Sequence, residues 1–241
     1  MRLSAPIYSL KRQARLLSRK ENLPLHEALD RVAAQEGFAG WGLLLAKASA
    51  TTPAGKLFAR LMPGDLVLVG ARPGHGKTLM SLELAVEAMR SGNRGVFFTL
   101  EYTPADVLDR FRAIGVEPAH FNGVFEFDNS DAICADYIIG RLGSAPRGTL
   151  VVIDYLQLLD QKRENPELAV QVPMLRSFAR DRGLVLVFIS QIDRSYDASK
   201  KPFPDTGDVR LPNPLDLTLF DKTCFLNKGE IRFEAAMSSR Q

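Results

Sequence analysis

The chain has 241 residues, of which 46% are apolar and 24% are charged, and its formal net charge is +3. These proportions exclude a disordered or collagen-like chain, and no apolar run reaches the roughly 18 residues that a membrane helix requires. The two cysteines, Cys134 and Cys224, do not make a disulfide framework. We therefore expect a cytoplasmic protein without membrane contact, built as one sizeable domain with a short appendage.

The first segment, residues 1–47, has a helical pattern and a concentration of positive charge. Residues 1–20 contain six Lys or Arg and no acid, so the rest of the chain is slightly acidic. Asn22-Leu23-Pro24 predicts the start of a second helix, with Asn22 as its N-cap. The basic run predicts a helix that contacts the DNA backbone. The alternatives are a solvated helix face and a helix that pairs with an acidic surface of a neighbouring subunit.

A small-residue segment, residues 48–57, is rich in helix breakers and predicts a linker. From residue 58 to residue 241, short apolar strands alternate with helices and end in a hairpin about Asn227-Lys228-Gly229. Because the strands are apolar throughout, they predict an α/β domain with a mainly parallel sheet and helices on both faces. The predicted strands are 66–69, 96–100, 124–127, 150–153 and 184–190, and the predicted helices are 79–89, 104–114, 132–142 and 168–180.

A glycine-rich loop, Ala71-Arg-Pro-Gly-His-Gly-Lys-Thr78, follows the first strand and opens a helix. This is the context of a P-loop, in which Gly74 and Gly76 let backbone N–H groups face phosphates. Lys77 would contact the β- and γ-phosphates, and Thr78 would bind Mg²⁺. An ordinary glycine-rich turn is the alternative. The predicted nucleotide contacts are Ala71, Arg72, Pro73, Gly74, His75, Gly76, Lys77, Thr78 and Leu79.

Three further strand ends carry polar side chains. Asp154 closes an apolar strand, as a Walker B acid does, and predicts a second Mg²⁺ contact. Glu101 is a candidate to orient and deprotonate the attacking water, and Gln191 is a candidate to sense the γ-phosphate. Because the carboxyl ends of parallel strands meet at one edge of the sheet, we expect these groups to converge there. Each group alone is also compatible with ordinary loop or surface structure.

Together these motifs resemble the RecA-fold ATPase domain of the DnaB-type replicative helicases over about residues 58–210. The matching segments are Met-Pro-Gly-Asp-Leu at 62–66, the loop at 70–78, Phe-Thr-Leu-Glu at 98–101, Val-Ile-Asp-Tyr-Leu-Gln-Leu at 152–158 and Ile-Ser-Gln-Ile-Asp-Arg at 189–194. The resemblance implies a RecA-like P-loop NTPase core that uses ATP and Mg²⁺. In that family, Glu101 corresponds to the catalytic base, Asp154 to the Mg²⁺ ligand and Gln191 to the switch. The resemblance also implies DNA as partner and a homo-oligomer such as a hexamer.

Proteins of that family bind single strands through the loops after the Walker B and sensor strands, here residues 160–166 and 194–202. The candidate phosphate contacts are Lys162, Arg163, Arg194, Lys200 and Lys201. Tyr196 is a candidate to stack a base, and solvated loop charge is the alternative interpretation. The family's arginine-finger segment and its N-terminal primase-interaction domain have no recognisable match. The weak candidates for a finger are Lys222, Lys228 and Arg232.

The sequence therefore predicts an ATP-hydrolysing, helicase-type ATPase that acts on single-stranded or duplex DNA. The second hypothesis is a nucleotide-dependent DNA-binding or regulatory ATPase of the same fold that does not unwind DNA. The missing finger segment and the chain length, shorter than that of a full replicative helicase, favour it. A third hypothesis is a degenerate relative that binds nucleotide without turnover, and the intact Lys77, Thr78, Glu101 and Asp154 argue against it.

Overall fold

The apolar runs form the strands of a single sheet at the centre of the protein. The structure is a computed structural model that describes residues 3–5, 7–196, 201–211, 213–227 and 230–234. The strands are β1 (Leu66–Ala71), β2 (Gly95–Thr99), β3 (Phe125–Asp128), β4 (Leu150–Asp154), β5 (Val185–Gln191), β6 (Lys222–Asn227) and β7 (Glu230–Glu234). The helices are α1 (Ile7–Glu21), α2 (Leu25–Gln35), α3 (Trp41–Thr51), α4 (Pro53–Phe58), α5 (Lys77–Arg90), α6 (Pro104–Ala113), α7 (Ala135–Leu142) and α8 (Leu168–Arg182).

The described strands lie in the order β3-β2-β4-β5-β1-β6-β7. All neighbouring pairs are parallel except β6 and β7, which form the predicted antiparallel hairpin. The turn residues Lys228 and Gly229 lie outside the described residues. The predicted α/β architecture, a RecA-like core with a mainly parallel sheet, is confirmed.

Side chains of each central strand alternate between two apolar layers. In β1, Leu66 and Leu68 pack into the layer that α7 and α8 cover, whereas Val67 and Val69 pack into the layer that α4, α5 and α6 cover. A strand with helices on both sides therefore has to be apolar at every position. Each large side chain buried in this way contributes about 1.5–3 kcal/mol to folding.

Helices α1, α2 and α3 have a separate small core, built from Leu10, Ala14, Val32 and Leu44 among others. The prediction that Asn22 caps α2 is wrong. Asn22 instead follows α1 in the left-handed conformation, with φ 52°, and the next N–H, of Leu23, donates to the carbonyl of Ser18 at 3.0 Å. Asparagine tolerates this conformation, which closes the carboxyl end of a helix.

The predicted linker, residues 48–57, is helical. Helix α3 continues to Thr51, and the side chain of Thr52 caps α4 by accepting a hydrogen bond from the N–H of Gly55 at 3.0 Å. Thr52 and Pro53 are therefore a helix start and not a break, since threonine suits the N-cap and proline the first turn. Leu57 is buried against the sheet. The correction concerns this segment, and the division of the chain into 1–47 and 58–241 stays a prediction.

Among the described residues, no helix has both the length and the apolar composition that crossing a bilayer requires.

Candidate functional site

The glycine-rich loop lies at the carboxyl edge of the sheet, between β1 and α5. Gly74 and Gly76 have φ values of 79° and 83°, in the left-handed region that side chains with a Cβ disfavour. An added Cβ at either position would have open space around it, so the backbone conformation, not crowding, requires glycine. The loop leads directly into the amino end of α5. At this end, unpaired N–H groups and the helix dipole favour a phosphate.

The three polar side chains closest to this helix start are buried. Lys77 and Thr78 are 8% and 9% exposed, and Asp154 is fully buried. The Thr78 hydroxyl donates to Oδ2 of Asp154 at 3.3 Å. Among the described residues, Oδ1 of Asp154 has no hydrogen-bond partner. Asp154 thus offers one free carboxylate oxygen beside a hydroxyl group.

The pKa of Asp154 is raised to about 6, mainly because burial disfavours the charged carboxylate. Lys77 opposes this rise and Glu101 adds to it. A divalent cation between Thr78 and Asp154 would restore the charged form. A hydroxyl and a carboxylate oxygen are ligands that Mg²⁺ prefers, so these two residues fit the predicted metal.

Glu101 and Gln191 lie at the carboxyl ends of β2 and β5, two strands that β4 separates. Glu101 is exposed just after β2, and its N–H donates to the Thr99 hydroxyl at 3.0 Å. Gln191 ends β5 opposite Ala71 of β1. Strands β2, β4, β5 and β1 are consecutive in the sheet, so their carboxyl ends bring the predicted catalytic and metal-binding residues to one place. The roles of these residues stay predictions.

The other predicted nucleotide contacts differ in exposure. Arg72 and His75 are half-buried, whereas Pro73 is exposed and Leu79 is 40% exposed. The His75 Nδ1 atom is buried and has no partner among the described residues. The loop therefore presents backbone and a few polar atoms, with Leu79 on the outer side of α5.

Two residues at this edge are absent from the sequence prediction. The Tyr102 hydroxyl lies 2.9 Å from the Thr78 hydroxyl, and burial raises the pKa of Tyr102. The guanidinium of Arg110 stacks over the Tyr102 ring at 4.3 Å and lowers the pKa of Asp154. Tyr102 directly follows Glu101, which is the only signal in the sequence. Arg110 comes from α6 and is placed by the packing of that helix.

The cations of the two predicted DNA-binding loops differ in their ion pairs and in their exposure. Lys162 forms an ion pair with Asp131 at 3.4 Å, and Lys201 contacts both Asp205 and Asp208 at 2.6 Å. Arg163 and Arg194 are exposed and form no ion pair with other described residues. Lys200 lies outside the described residues, and the DNA-binding role of these cations stays a prediction.

Tyr196 does not serve as a stacking platform, and that prediction is wrong. Its ring is 5% exposed and packs in the core layer that contains α8. The Tyr196 hydroxyl donates to the carbonyl of Lys201 at 2.8 Å. The side chain therefore holds the loop to the body of the protein.

Of the weak finger candidates, Lys222 is separated from the P-loop. Lys222 begins β6 opposite Val67, near the amino end of β1, and forms an ion pair with Asp65. It therefore lies at the edge of the sheet opposite the nucleotide site of its own chain. Arg232 is exposed on β7, the outermost described strand. Lys228 lies outside the described residues.

Several known proteins are similar to this chain in sequence. The family model of the KaiC-type ATPase matches residues 55–133. The replicative DNA helicase DnaB of Mycoplasma genitalium is 24% identical over 197 residues, which cover 66% of this chain and 42% of the relative. A probable plasmid replicative DNA helicase of Chlamydia trachomatis is 24% identical over 220 residues, covering 74% and 49%. The chain thus spans less than half the length of these curated relatives.

Solved structures share the fold. The ATPase domain of G40P has a TM-score of 0.58 at 18% identity, covering 77% of this chain and 81% of that one. A DnaB-like replicative helicase, whose structure was described with its interactions with primase, has a TM-score of 0.56 at 16% identity, covering 90% and 64%. The chain therefore shares the RecA-like fold of these proteins, and the resemblance to the ATPase domain of the DnaB-type helicases that the motifs indicated is confirmed.

Proposed function

We propose that the chain hydrolyses ATP at the carboxyl edge of its sheet, as a helicase-type ATPase that acts on DNA. The observation that carries this proposal is the buried Asp154, with one unpartnered carboxylate oxygen, beside Thr78 at the start of the P-loop helix. Burial of this carboxylate is costly and is only partly offset by Lys77 and Arg110, so a nucleotide-bound cation would lower the remaining cost. The P-loop supplies the phosphate contacts that such a nucleotide needs.

Each residue has one task in this mechanism. The loop N–H groups and Lys77 hold the β- and γ-phosphates, and Thr78 and Asp154 would hold Mg²⁺. When bound, Mg²⁺ neutralises charge that develops on the phosphate oxygens. Glu101 orients a water molecule and accepts its proton as the water oxygen bonds to the γ-phosphorus. The bond from that phosphorus to the oxygen of ADP breaks, leaving ADP and phosphate.

The DNA-directed part of the proposal draws on the relatives, which are named as replicative DNA helicases. Gln191 ends β5, and its carbonyl accepts a hydrogen bond from the N–H of Arg210 at 2.8 Å. This contact links the γ-phosphate sensor to the segment that follows the second predicted DNA loop. We propose single-stranded DNA as the partner and a homo-oligomer such as a hexamer as the working form.

A second candidate function is a DNA-binding or regulatory ATPase that does not unwind DNA. The ion pair of Lys222 favours it, because this finger candidate is already bound to Asp65. Lys201, among the predicted DNA contacts, is likewise held by two carboxylates. Without a finger, turnover would be slower by about 10³–10⁵-fold.

The test is steady-state ATP hydrolysis by the wild type and by Lys77→Ala, with and without single-stranded DNA. We expect hydrolysis that Lys77→Ala lowers to background, while Lys47→Ala, which removes an exposed lysine on α3, changes nothing. Turnover that survives Lys77→Ala would contradict the site. Stimulation by DNA supports the helicase-type function, and its absence at low salt supports the regulatory candidate.

A further inference from the structure

Helix α1 has two different faces. Its apolar residues Leu10 and Ala14 are buried against α2 and α3, whereas Lys11, Arg12 and Arg15 lie on the other side of the helix. Successive residues advance by about 100° around a helix, so these three cations form a stripe that faces away from the core of their own helical module.

That stripe faces the ATPase body across a cleft of about 400 Å³. Lys11, Arg12 and Arg15 form one wall. Arg112, near the end of α6, stands in the other wall with the segment from Gly115 to Glu117. Four of the seven lining residues are therefore cations, and Glu117 is the one acid among them.

Acids compensate the cations that line this cleft only in part. Among the described residues, Lys11, Arg12 and Arg15 form no ion pair, and Arg112 pairs with Asp109 at 2.6 Å. Burial lowers the pKa of Lys11, the nearby Arg15 and Arg90 lower it further, and Glu117 in the opposite wall opposes this change. Positive groups on two separate elements thus face each other, and an anion between them would relieve the repulsion.

The cleft lies far from the nucleotide site in the topology of the sheet. Helix α6 starts after the carboxyl end of β2 and runs to the amino end of β3. Arg112 and Gly115 therefore belong to the amino edge of the sheet, whereas the P-loop and the two predicted DNA loops belong to the carboxyl edge. An anion in the cleft is a ligand separate from ATP.

We propose that this cleft binds the phosphate backbone of nucleic acid. The planar guanidinium groups of Arg12, Arg15 and Arg112 match phosphate oxygens with two parallel hydrogen bonds each, which a single ammonium does not. The choice of nucleic acid over an acidic protein surface rests on the DNA-directed function proposed above. The ligand would bridge α1 and α6 and hold the N-terminal helices on the ATPase body.

The experiment is fluorescence anisotropy of a labelled single-stranded oligonucleotide with the full chain, without nucleotide, over a series of salt concentrations. Each phosphate contact contributes about 0.7 to the slope of log K against log salt for single strands. We expect Arg12→Gln/Arg15→Gln to reduce the slope by about 1.4 and Arg112→Gln by about 0.7. The matched control, Arg19→Gln/Lys20→Gln, removes two cations of the same helix that do not line the cleft, and its slope should stay near that of the wild type.

The outcomes separate the alternatives. If the salt slope falls with Arg12→Gln/Arg15→Gln but not with Arg112→Gln, the DNA contact belongs to helix α1 alone and the cleft proposal is overturned. Binding that all these variants leave unchanged would place DNA only at the carboxyl-edge loops. If inorganic phosphate binds to the full chain through the cleft cations while the oligonucleotide does not bind, the nucleic-acid assignment is overturned. A change of oligomeric mass caused by the cleft variants, without a change of DNA binding, would assign the cleft to an acidic protein surface.

The result does not depend on ATP hydrolysis, because no nucleotide is present. If the ATPase proposal fails, wild-type turnover is absent but the salt slopes remain informative. If the cleft proposal alone fails, turnover depends on Lys77 and the cleft variants bind DNA as the wild type does. Circular dichroism of each variant should match the wild type, since the substituted side chains are exposed or on the surface of α6.

Discussion

The two edges of the sheet attract anions in different ways. At the carboxyl edge, the P-loop uses backbone N–H groups, one buried lysine and a buried aspartate. At the amino edge, the cleft uses the side chains of Arg12, Arg15 and Arg112 from two helices. The first site is contained in one short segment plus three strand ends, while the second exists only where α1 meets α6. A site made by backbone is therefore visible in the sequence, and a site made by facing surfaces is not.

Their surroundings differ as well. Buried charges in the P-loop site are poorly screened by salt, whereas the exposed guanidinium groups of the cleft are screened within about 10 Å at 0.1 M salt. Burial also raises the pKa of Asp154 to about 6, which is close to neutral pH. Salt and pH are therefore the variables that distinguish one edge from the other.

The largest expected effect is that one variant loses ATP turnover and another loses salt-dependent DNA contacts, each without a change in the other quantity. Lys77→Ala should lower ATP turnover by about 10²–10³-fold, as expected for removal of a group that stabilises transition-state charge, and should leave the salt slope of DNA binding unchanged. Arg12→Gln/Arg15→Gln should reduce the salt slope of DNA binding by about 1.4 and leave ATP turnover measured without DNA unchanged. Turnover and anisotropy on both variants check this. If either variant changes both quantities, the two edges are coupled and the comparison fails.

A smaller loss of ATP turnover is expected when Glu101 is substituted. Glu101→Gln should lower turnover by about 10²-fold because the amide does not accept a proton from water, while nucleotide affinity stays close to that of the wild type. Single-turnover kinetics and equilibrium nucleotide binding measure the two quantities. Glu27→Gln, which alters an exposed acid on α2, is the control. Equal loss of binding and turnover would exclude a role for Glu101 limited to the water.

The pH dependence of stability should reveal the buried carboxyl group. The folded-state pKa of Asp154 is about 6 against an ordinary 3.8, so without metal its contribution favours folding at low pH and is lost as the pH rises through 6. Between pH 5 and pH 7.5 the wild type should lose about 1 kcal/mol relative to Asp154→Asn. Urea unfolding of both proteins measures this, with the exposed Asp109→Asn as control. Parallel pH curves for wild type and Asp154→Asn would contradict the burial effect.

The smallest expected effect concerns Tyr102. Its hydroxyl contacts the Thr78 hydroxyl, so Tyr102→Phe should free Thr78 and lower the Mg²⁺ concentration for half-maximal turnover by less than about tenfold, the value of one hydrogen bond. Mg²⁺ titrations of turnover measure the shift. Tyr137→Phe removes a comparable bond to Asp128 away from the site and should leave the titration unchanged. A large fall in turnover at saturating Mg²⁺ would mean that Tyr102 acts in the chemistry itself.

Errors of the sequence prediction have a common physical origin. Thr52 and Pro53 have the composition of a linker, yet an N-cap followed by proline also starts a helix, and only the burial of Leu57 decides between the two. Tyr196 has an amphipathic side chain that suits either a DNA-binding loop or a core, and its ring is buried. In each case the local pattern allows two structures and packing selects one.

By itself, the sequence determined the parallel sheet, the P-loop and the polar strand ends at Glu101, Asp154 and Gln191. These features depend on local periodicity and on the rule that parallel strands end at one edge. Only the tertiary structure decided that α4 packs on the sheet, that Tyr102 and Arg110 border the site, and that the cations of α1 face Arg112. Those features join residues far apart in the chain, and the free energy of packing that joins them is not encoded in any single segment.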